Sequence, residues 1–238
     1  MQKAWDINAK FWDIQMGDDS NEFHKKVVRP KVEELLNIQD DDYILDIACG
    51  NGNFSAYMCK KYNINVYAFD YSDQMIKLAK QRWKNFLHKI HFQTIDASDE
   101  LTLQNLAKKH TFSKAVSNMA IMDMENIQPL FKSLYSLLKE NGIFVFATQH
   151  PCFVTLTKKY LSPHNYLGYA FEKQPVKHHY YHRSLEEIFN TCFKNGFIID
   201  GFFEEPFLDE EFPEIIIVRA RKISFKLQKL TSFAKISF

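Results

Sequence analysis

Residues 43–55 read Y-I-L-D-I-A-C-G-N-G-N-F-S and carry the densest set of structural signals in the chain. An apolar run with one carboxylate, Asp46, breaks at Gly50-Asn51-Gly52 before a helix-like segment. This order predicts a buried strand, a tight turn and the start of a helix. Two glycines separated by one residue allow positive φ and a close approach of the backbone to a ligand, and the helix start offers free N–H groups. We therefore expect a polar, partly anionic small molecule to bind at this loop.

Three known ligand-binding loops share that geometry. A phosphate loop would end in Gly-Lys-Ser/Thr, which is absent, and the dinucleotide fingerprint G-x-G-x-x-G fits only as Gly50, Gly52 and Ser55, without its third glycine. The stretch from Asp46 to Gly52 resembles more closely the D-x-x-C-G-x-G loop of the class I S-adenosylmethionine-dependent methyltransferases. One departure is Ala48, where many members of that family have glycine.

Composition limits the classes of protein that this chain can belong to. Its 238 residues are 46% hydrophobic and 25% charged, which is typical of one globular α/β domain. A formal net charge of +1 provides no strong field toward nucleic acid or membrane. No segment approaches the roughly 20 apolar residues of a membrane span, and residues 1–8 lack the apolar run of a signal peptide. We therefore expect a cytoplasmic protein.

The four cysteines form no C-x-x-C pair. Four cysteines in a chain of this length are ordinary for a reducing compartment. We expect neither a disulfide framework nor a metal site.

Residues 1–37 are predicted to form an N-terminal helical cap. Turn-forming residues at positions 17–20 interrupt it, and Pro30 fits the first turn of a helix that ends at Leu36. In the methyltransferases that this chain resembles, such a segment lies over the cofactor and shapes the substrate pocket, so Trp12 is a candidate substrate-binding residue. The alternative is that Trp12 packs in the core.

Strands and helices alternate after the glycine loop. Further strands are predicted at residues 64–69, 90–95, 112–117, 142–148, 197–203 and 215–220, with helices at 54–61, 73–83, 101–109, 127–139 and 185–194. This alternation predicts a mainly parallel sheet covered on both faces. The resemblance implies a seven-stranded Rossmann-like α/β sheet of order 3-2-1-4-5-7-6 with an antiparallel last strand. Ligands of such sheets bind at the carboxyl ends of the strands.

The second strand ends in Phe69-Asp70-Tyr71-Ser72. A carboxylate there can accept hydrogen bonds from both hydroxyls of a ribose. The pattern D-Y-S-x-x-M-I-x-x-A, which starts at Asp70, resembles the second signature of the methyltransferases. Tyr71 and Met75 are candidates to flank an adenine ring.

Asp96 and Ala97 follow the third strand. They resemble the family residues that meet the adenine, an acid that accepts from its amino group and a backbone N–H that contacts its ring. Asp46, Asp70 and Asp96 would together repel a pyrophosphate. They suit a cofactor that carries a sulfonium, an ammonium group, a diol and an aminopurine, so S-adenosylmethionine is the predicted cofactor.

The fourth strand runs into residues 117–123, S-N-M-A-I-M-D. In the resembled family this position faces the methionine half of the cofactor, so Asn118 and Met119 are candidate cofactor-binding residues. The stretch does not match the N-P-P-Y or D-P-P-Y box of methyltransferases that act on amino groups of DNA and proteins. A small-molecule acceptor is therefore expected, and nucleic acid is disfavoured.

Residues 150–183 are predicted to form an irregular lid insertion after the fifth strand. The segment is rich in Tyr and His, which favours a lid over an apolar or aromatic substrate. The motif H-P-C-F at residues 150–153 and the later H-R-S-L at 182–185 resemble an uncharacterised bacterial branch of the class I methyltransferases, related to those of quinone biosynthesis.

His150 is the candidate general base, because it ends a central strand and imidazole is a common proton acceptor in enzymes. The alternative is that it only orders the turn at Pro151, and His182 and Asp123 are the second choices for the base. His150, His182 and Asp123 are candidate substrate-binding residues together with Trp12, whereas residues 178 and 179, both His, are expected to be solvated.

The domain is predicted to span residues 1–221, with a basic amphipathic tail at 222–238. The tail either contacts a membrane surface or packs on its own domain. Three alternative functions stay open: methylation of tRNA or another nucleic acid, cofactor binding without catalysis, and dinucleotide oxidoreduction.

Overall fold

The computed structural model describes residues 2–154 and 159–223. The eight α-helices in these ranges are α1 (Gln2–Met16), α2 (Arg29–Leu36), α3 (Asn53–Lys61), α4 (Asp73–Arg82), α5 (Glu100–Ala107), α6 (Gln128–Leu137), α7 (Pro151–Val154) and α8 (Leu185–Lys194). The nine strands there are β1 (Tyr43–Ile47), β2 (Asn65–Asp70), β3 (Ile90–Thr94), β4 (Phe112–Asn118), β5 (Leu138–Gln149), β6 (His164–Gly168), β7 (His178–His182), β8 (Phe197–Glu205) and β9 (Ile215–Lys222). A π-helical turn, His24–Val28, leads into α2, and 3₁₀ turns occur at Lys84–Phe86 and Ile121–Asp123.

Seven strands form one sheet of order β3-β2-β1-β4-β5-β9-β8. Strands β1 to β5 are parallel to one another, and β9 is antiparallel to both β5 and β8. The predicted order 3-2-1-4-5-7-6 is confirmed, since the sixth and seventh predicted strands are β8 and β9. The parallel half places the carboxyl ends of β1 to β4 at one edge.

Both faces of the sheet are covered by helices, which explains the long apolar runs of the strands. Along β5, Phe144 and Phe146 pack on one face with α5, α6 and α8, whereas Val145 packs on the other with α2, α3 and α4. Each large apolar side chain that is fully buried contributes roughly 1.5–3 kcal/mol of transfer free energy. The core therefore fixes the sheet on which the glycine loop is mounted.

The helix predicted at residues 127–139 ends earlier, at Leu137, and β5 begins at once. The pairing of β5 with β4 shifts register between Phe112 and Lys114, and Asn141 has a φ of 61°. The pair Asn141-Gly142, a sequence typical of turns, therefore forms an irregularity within β5. The residue pattern of a bulge resembles that of a helix end, because in both places Asn or Gly adopts a left-handed backbone conformation.

The insertion after β5 is not irregular, contrary to the prediction. It contains α7 and a two-stranded antiparallel hairpin of β6 and β7, in which Tyr166 pairs with Tyr180. Along β7 the side chains alternate between buried and more exposed, as a strand with one covered face requires.

Lys222 belongs to the domain and not to the predicted tail. It ends β9, its Nζ donates to the Leu138 carbonyl at 2.8 Å and it lies over the ring of Tyr135. Residues 224–238 lie outside the described residues, so the amphipathic tail and its membrane contact stay predictions. Within the part of the chain that the structure describes, no helix is long and apolar enough to cross a bilayer.

The N-terminal cap is fastened to the domain through α4. Arg82 makes a 2.7 Å ion pair with Asp13 of α1, and Ser72 Oγ, which caps α4, donates to Asp6 at 2.6 Å. These contacts hold α1 over the carboxyl ends of the strands.

Candidate active site

The glycine loop after β1 uses left-handed backbone three times. Ala48 has a φ of 55°, Gly50 of 55° and Gly52 of 77°. The left-handed conformation costs Ala48 about 1–2 kcal/mol, whereas glycine would adopt it without this cost. At Gly52 a Cβ would lie 2.7 Å from the ring of Phe92, so only glycine fits there without rearrangement.

Asp70 fastens the loop to the end of β2. Its Oδ2 accepts from the Gly50 N–H and its Oδ1 from the Ser72 N–H, both at 2.9 Å. Burial raises the pKa of Asp70 to about 6 against these hydrogen bonds. Asp70 also lines the cavity described next.

A cavity of about 480 Å³ opens at the carboxyl ends of β1 to β4, beneath α1. Its wall contains ten of the residues predicted for cofactor and substrate: Gly50, Asp70, Tyr71, Met75, Asp96, Ala97, Asn118, Met119, Trp12 and Asp123. The remaining wall is formed by Trp5, Ala48, Phe69, Ile95, Ser98, Ala120, Met124, Glu125 and Asn126. The structure thus brings most of the predicted site together.

Three of the predicted cofactor residues lie behind that wall. Asp46 is buried below the loop, where it accepts from Ser55 Oγ at 2.5 Å. Burial, with the nearby charge of Asp70, raises the pKa of Asp46 to about 7. Asn51 donates to Asp13 at 3.0 Å, and Gly52 packs on Phe92. These residues support the loop and do not contact the cavity.

The opposite wall presents polar groups. Asp96 accepts from both the backbone N–H and the hydroxyl of Ser98, at 2.8 and 2.7 Å, which fixes its carboxylate at the cavity rim. Asn118 Oδ1 is buried and has no hydrogen-bond partner. An acceptor without a partner in a cavity wall fits a ligand that carries a donor, such as an ammonium group.

The cap and the hairpin together form the roof of the cavity. Trp5 and Trp12 meet edge to face at 5.2 Å between ring centroids, and Trp12 packs on Phe171 of the insertion at 5.1 Å. Asn8 is fully buried and bonds to the backbone of Val176. Sequence reasoning named Trp12 as a candidate substrate-binding residue but missed Trp5. The available signal was that Trp5 is a second tryptophan in the same N-terminal cap.

Asp123 lies at one end of the cavity, in the loop between β4 and α6. The buried guanidinium of Arg183 holds this loop, since it donates to the carbonyls of Ile121 and Met124 at 3.2 and 2.5 Å. The side chain of Trp5 hydrogen-bonds to Asp123, yet burial raises the pKa of Asp123 well above its ordinary range. Arg183 was missed by sequence reasoning because nothing local marks a residue that supports a distant loop.

His178 lies beside Asp123, and the prediction that it is solvated is wrong. It is 3% exposed and its Nε2 is 3.8 Å from Asp123 Oδ1. Its ring contacts those of Trp5 and Tyr180 at centroid distances of 4.6 and 4.4 Å. Burial lowers the pKa of His178 to about 4.

His150 and His182 are not brought to this cavity. His150 Nε2 pairs with Glu204 at 2.8 Å, and its Nδ1 accepts from the Cys152 N–H at 3.0 Å, so both ring nitrogens are engaged. His182 Nε2 bonds to the Tyr160 carbonyl at 2.7 Å. His182 lines a separate space of about 20 Å³ between the hairpin and the end of β5. Asp123 lines the cavity, and His178 lies directly beside it, so these two form a titratable pair at the cavity instead.

This arrangement belongs to a known class. Residues 38–198 match the family model of the methyltransferase domain, and the chain belongs to the class I S-adenosylmethionine-dependent methyltransferases. The resemblance drawn from the glycine loop is thereby confirmed, and the predicted S-adenosylmethionine is the cofactor of this family. The narrower resemblance carried by H-P-C-F stays a prediction.

Among curated relatives, a malonyl-[acyl-carrier protein] O-methyltransferase from a Marinomonas species is 30% identical over 55% of this chain and 46% of its own length. A ubiquinone biosynthesis O-methyltransferase from Pelagibacter ubique is 30% identical over 62% of this chain and 60% of its own. The chain therefore spans about half the length of these relatives.

Solved structures share the fold. A methyltransferase from Clostridium acetobutylicum superposes with a TM-score of 0.64 at 18% identity, over 90% of this chain and 98% of the other. The magnesium protoporphyrin IX methyltransferase from Synechocystis, solved with bound SAH, also gives 0.64 at 18% identity, over 93% and 97% of the two chains. The predicted Rossmann-like architecture is confirmed.

Proposed function

We propose that the protein transfers a methyl group from S-adenosylmethionine to a small-molecule acceptor of aromatic or apolar character. The proposal rests on one observation: Asp70, the Gly50 loop and the unpartnered Asn118 Oδ1 converge on a single cavity. Asp70 supplies an acceptor for the two hydroxyls of a ribose, and the Gly50 loop lets the backbone approach the ligand closely. Asn118 Oδ1 supplies an acceptor for an ammonium group.

Each wall has a distinct part in holding the cofactor. Asp70 would accept from the ribose hydroxyls, and Tyr71, Met75 and Ala97 would enclose the adenine, with Asp96 at its amino group. Asn118 and Met119 would hold the methionine end. A cavity of about 480 Å³ lined by these groups fits a nucleoside that carries an amino acid.

The bound cofactor supplies a methyl group on positively charged sulfur. The protein aligns the acceptor with that group and excludes water, which supplies much of the rate increase in such a displacement. Trp5 and Trp12, together with the hairpin, form the roof that aligns the acceptor and excludes water.

The lining of the cavity supports an aromatic or apolar acceptor. Trp5, Trp12 and Met124 face the cavity, and among the described residues no Lys or Arg lines it. A phosphorylated acceptor would lack a cationic partner there. A nucleic-acid substrate is disfavoured for the same reason, and by the net charge of +1.

The free state of all four cysteines supports the proposal that the protein works in a reducing compartment such as the cytoplasm.

Thermal unfolding of the full chain with S-adenosylhomocysteine or with NAD tests the function. A ligand that binds only the folded state stabilises it, by about 2.7 kcal/mol at a hundred times its Kd. We expect S-adenosylhomocysteine to raise Tm and NAD to leave it unchanged. A rise with NAD alone would overturn the proposal in favour of a dinucleotide enzyme.

A further inference from the structure

The buried amide of Gln174 fixes which nitrogen of His178 carries the proton. Gln174 Oε1 accepts from the Ala170 N–H at 3.1 Å, and its Nε2 donates to the Val176 carbonyl at 2.8 Å. Exchanging the two amide atoms would set donor against donor at Ala170, so this orientation is required. Gln174 Nε2 lies 3.1 Å from His178 Nδ1, which must therefore be an acceptor.

A neutral imidazole with an acceptor at Nδ1 carries its proton on Nε2. Burial, together with the charge of His179, lowers the pKa of His178 to about 4, so the ring stays neutral at physiological pH. His178 Nε2 is therefore a hydrogen-bond donor, and it lies 3.8 Å from Oδ1 of Asp123, which lines the cavity. The imidazole ring contacts the rings of Trp5 and Tyr180.

Asp123 faces that donor without bonding to it. The 3.8 Å between His178 Nε2 and Asp123 Oδ1 is too long for a hydrogen bond, and both atoms are buried with no hydrogen-bond partner. Buried polar atoms are rarely left without a hydrogen-bond partner, which indicates that one group of a ligand bonds to both atoms. The group must accept from nitrogen and donate to a carboxylate, and a hydroxyl oxygen does both.

The surroundings of Asp123 favour a neutral group over an anion. Burial, and after it the charge of Asp70, raises the pKa of Asp123. Burial, and after it the charge of Asp123, raises the pKa of Tyr71, Tyr166 and Tyr180. Trp5 donates a neutral hydrogen bond to Asp123, and none of the neighbours named here carries a positive charge. A carboxylate acceptor would meet repulsion unless Asp123 were protonated.

We propose that His178 and Asp123 bind a hydroxyl group of the methyl acceptor, with Asp123 as the base that takes its proton. The inference rests on the proposed methyltransferase function. As the acceptor O–H bond breaks, its proton passes to Asp123 Oδ1 and an oxygen electron pair forms the new O–CH₃ bond. The C–S bond breaks with its electrons remaining on sulfur, which becomes neutral. The acceptor class is thus an aromatic alcohol or phenol.

Two measurements test this assignment. The ¹⁵N NMR shifts of His178 in the full chain report its tautomer without any ligand; we expect Nε2 to be protonated and Nδ1 not. Protonation of Nδ1 instead would overturn the proposal.

The second measurement uses protein saturated with S-adenosylhomocysteine, at a pH below the pKa of 4-nitrophenol so that its hydroxyl stays protonated, and three probes: 4-nitrophenol, 4-nitroanisole and 4-nitrobenzoate. Leaving one buried polar atom unsatisfied weakens binding by roughly 5- to 100-fold. We expect 4-nitrophenol to bind at least about tenfold more tightly than 4-nitroanisole, which cannot donate. Asp123→Ala and His178→Phe should each remove most of that preference, whereas His179→Phe, on the exposed side of β7, should keep it.

Calorimetry with S-adenosylhomocysteine alone separates the two levels of proposal. If the wild type does not bind S-adenosylhomocysteine, the proposed function itself fails. If it binds, but 4-nitrophenol does not or binds no better than 4-nitroanisole, only the hydroxyl assignment is overturned. Tighter binding of 4-nitrobenzoate than of 4-nitrophenol would also overturn it, in favour of a protonated Asp123 that binds carboxylates.

Discussion

The side-chain amide of Asn8 makes two hydrogen bonds to the backbone of Val176, 168 residues further along the chain. Its Nδ2 donates to the Val176 carbonyl at 2.9 Å, and its Oδ1 accepts from the Val176 N–H at 3.1 Å. Asn8 is fully buried. Helix α1 and the insertion are therefore joined as one roof, and Gln174, which bonds to the same carbonyl, links this joint to His178.

Asn8→Ala is expected to lower the free energy of unfolding by about 1–3 kcal/mol, because it leaves backbone groups of Val176 without their partner. Thermal unfolding gives the change, and hydrogen exchange at the Val176 amide locates it. Asn105→Ala, at an exposed position of α5, should change stability by no more than about 0.5 kcal/mol. Equal effects of the two substitutions would contradict the role of Asn8.

Gly52→Ala and Gly17→Ala form a matched pair. Both glycines have positive φ, 77° and 52°, so both substitutions incur the left-handed cost of about 1–2 kcal/mol. A Cβ at Gly17 meets nothing within 4 Å, whereas one at Gly52 lies 2.7 Å from Phe92. Gly52→Ala should therefore lower Tm by clearly more than Gly17→Ala, and adding Phe92→Leu should recover part of the difference. Similar Tm values for the two single variants would refute the clash.

Asp70→Asn should weaken binding of S-adenosylhomocysteine by roughly 10- to 100-fold, as measured by calorimetry. Both oxygens of Asp70 accept from backbone N–H groups, so the amide nitrogen of asparagine must face one of these donors. Asp73→Asn is the control, because Asp73 is an exposed neighbour that bonds to Thr94 and does not line the cavity. Unchanged affinity in Asp70→Asn would remove Asp70 from the cofactor site.

The affinity for S-adenosylmethionine should rise from pH 5 to pH 8, more steeply than the affinity for S-adenosylhomocysteine. Burial raises the pKa of Asp70 to about 6 and that of Asp46 to about 7, so both carboxyls bind protons in this range. A cationic ligand favours the ionised form of both carboxyls, so its binding releases protons. For each carboxyl, the affinity therefore rises by up to about tenfold per pH unit below the pKa of that carboxyl.

The uncharged sulfur of S-adenosylhomocysteine lacks that preference. Calorimetry in buffers of different ionisation enthalpy counts the protons released, and Asp46→Asn should reduce the number. An affinity ratio between the two ligands that is independent of pH would contradict the coupling.

The same raised pKa values have a consequence for stability. A carboxyl whose pKa is higher in the folded than in the unfolded chain binds more protons when folded. The contribution of Asp46 and Asp70 to stability is therefore largest below about pH 4 and is lost as pH rises toward 7.

The cofactor half of the site was predictable because most of its residues lie at the end of a strand or a few residues after it. Asp70, Asp96 and Asn118 stand at the ends of three parallel strands, and the sheet brings such positions together whatever lies between them. The sequence motif and the fold therefore point to the same place.

The acceptor half was not predictable in that way. Trp5 and His178 meet only because α1 and the hairpin cross over the cavity, and nothing local in the sequence records a contact of that range. The run H-H-Y-Y-H, residues 178–182, alternates in burial but not in residue type, so its sequence alone does not mark His178 as buried. His150 ends a central strand as predicted, but its ring bonds to Glu204 of β8, away from the cavity.

Strand β9 lies between β5 and β8, although it is the last of the described strands to be synthesised. Until residues 215–222 have left the ribosome, β5 has no partner on that side, and the roof joined at Asn8 and Val176 rests on an incomplete sheet. Folding of this domain can therefore be completed only after β9 has been synthesised, and a nascent chain halted before β9 would expose an aggregation-prone edge.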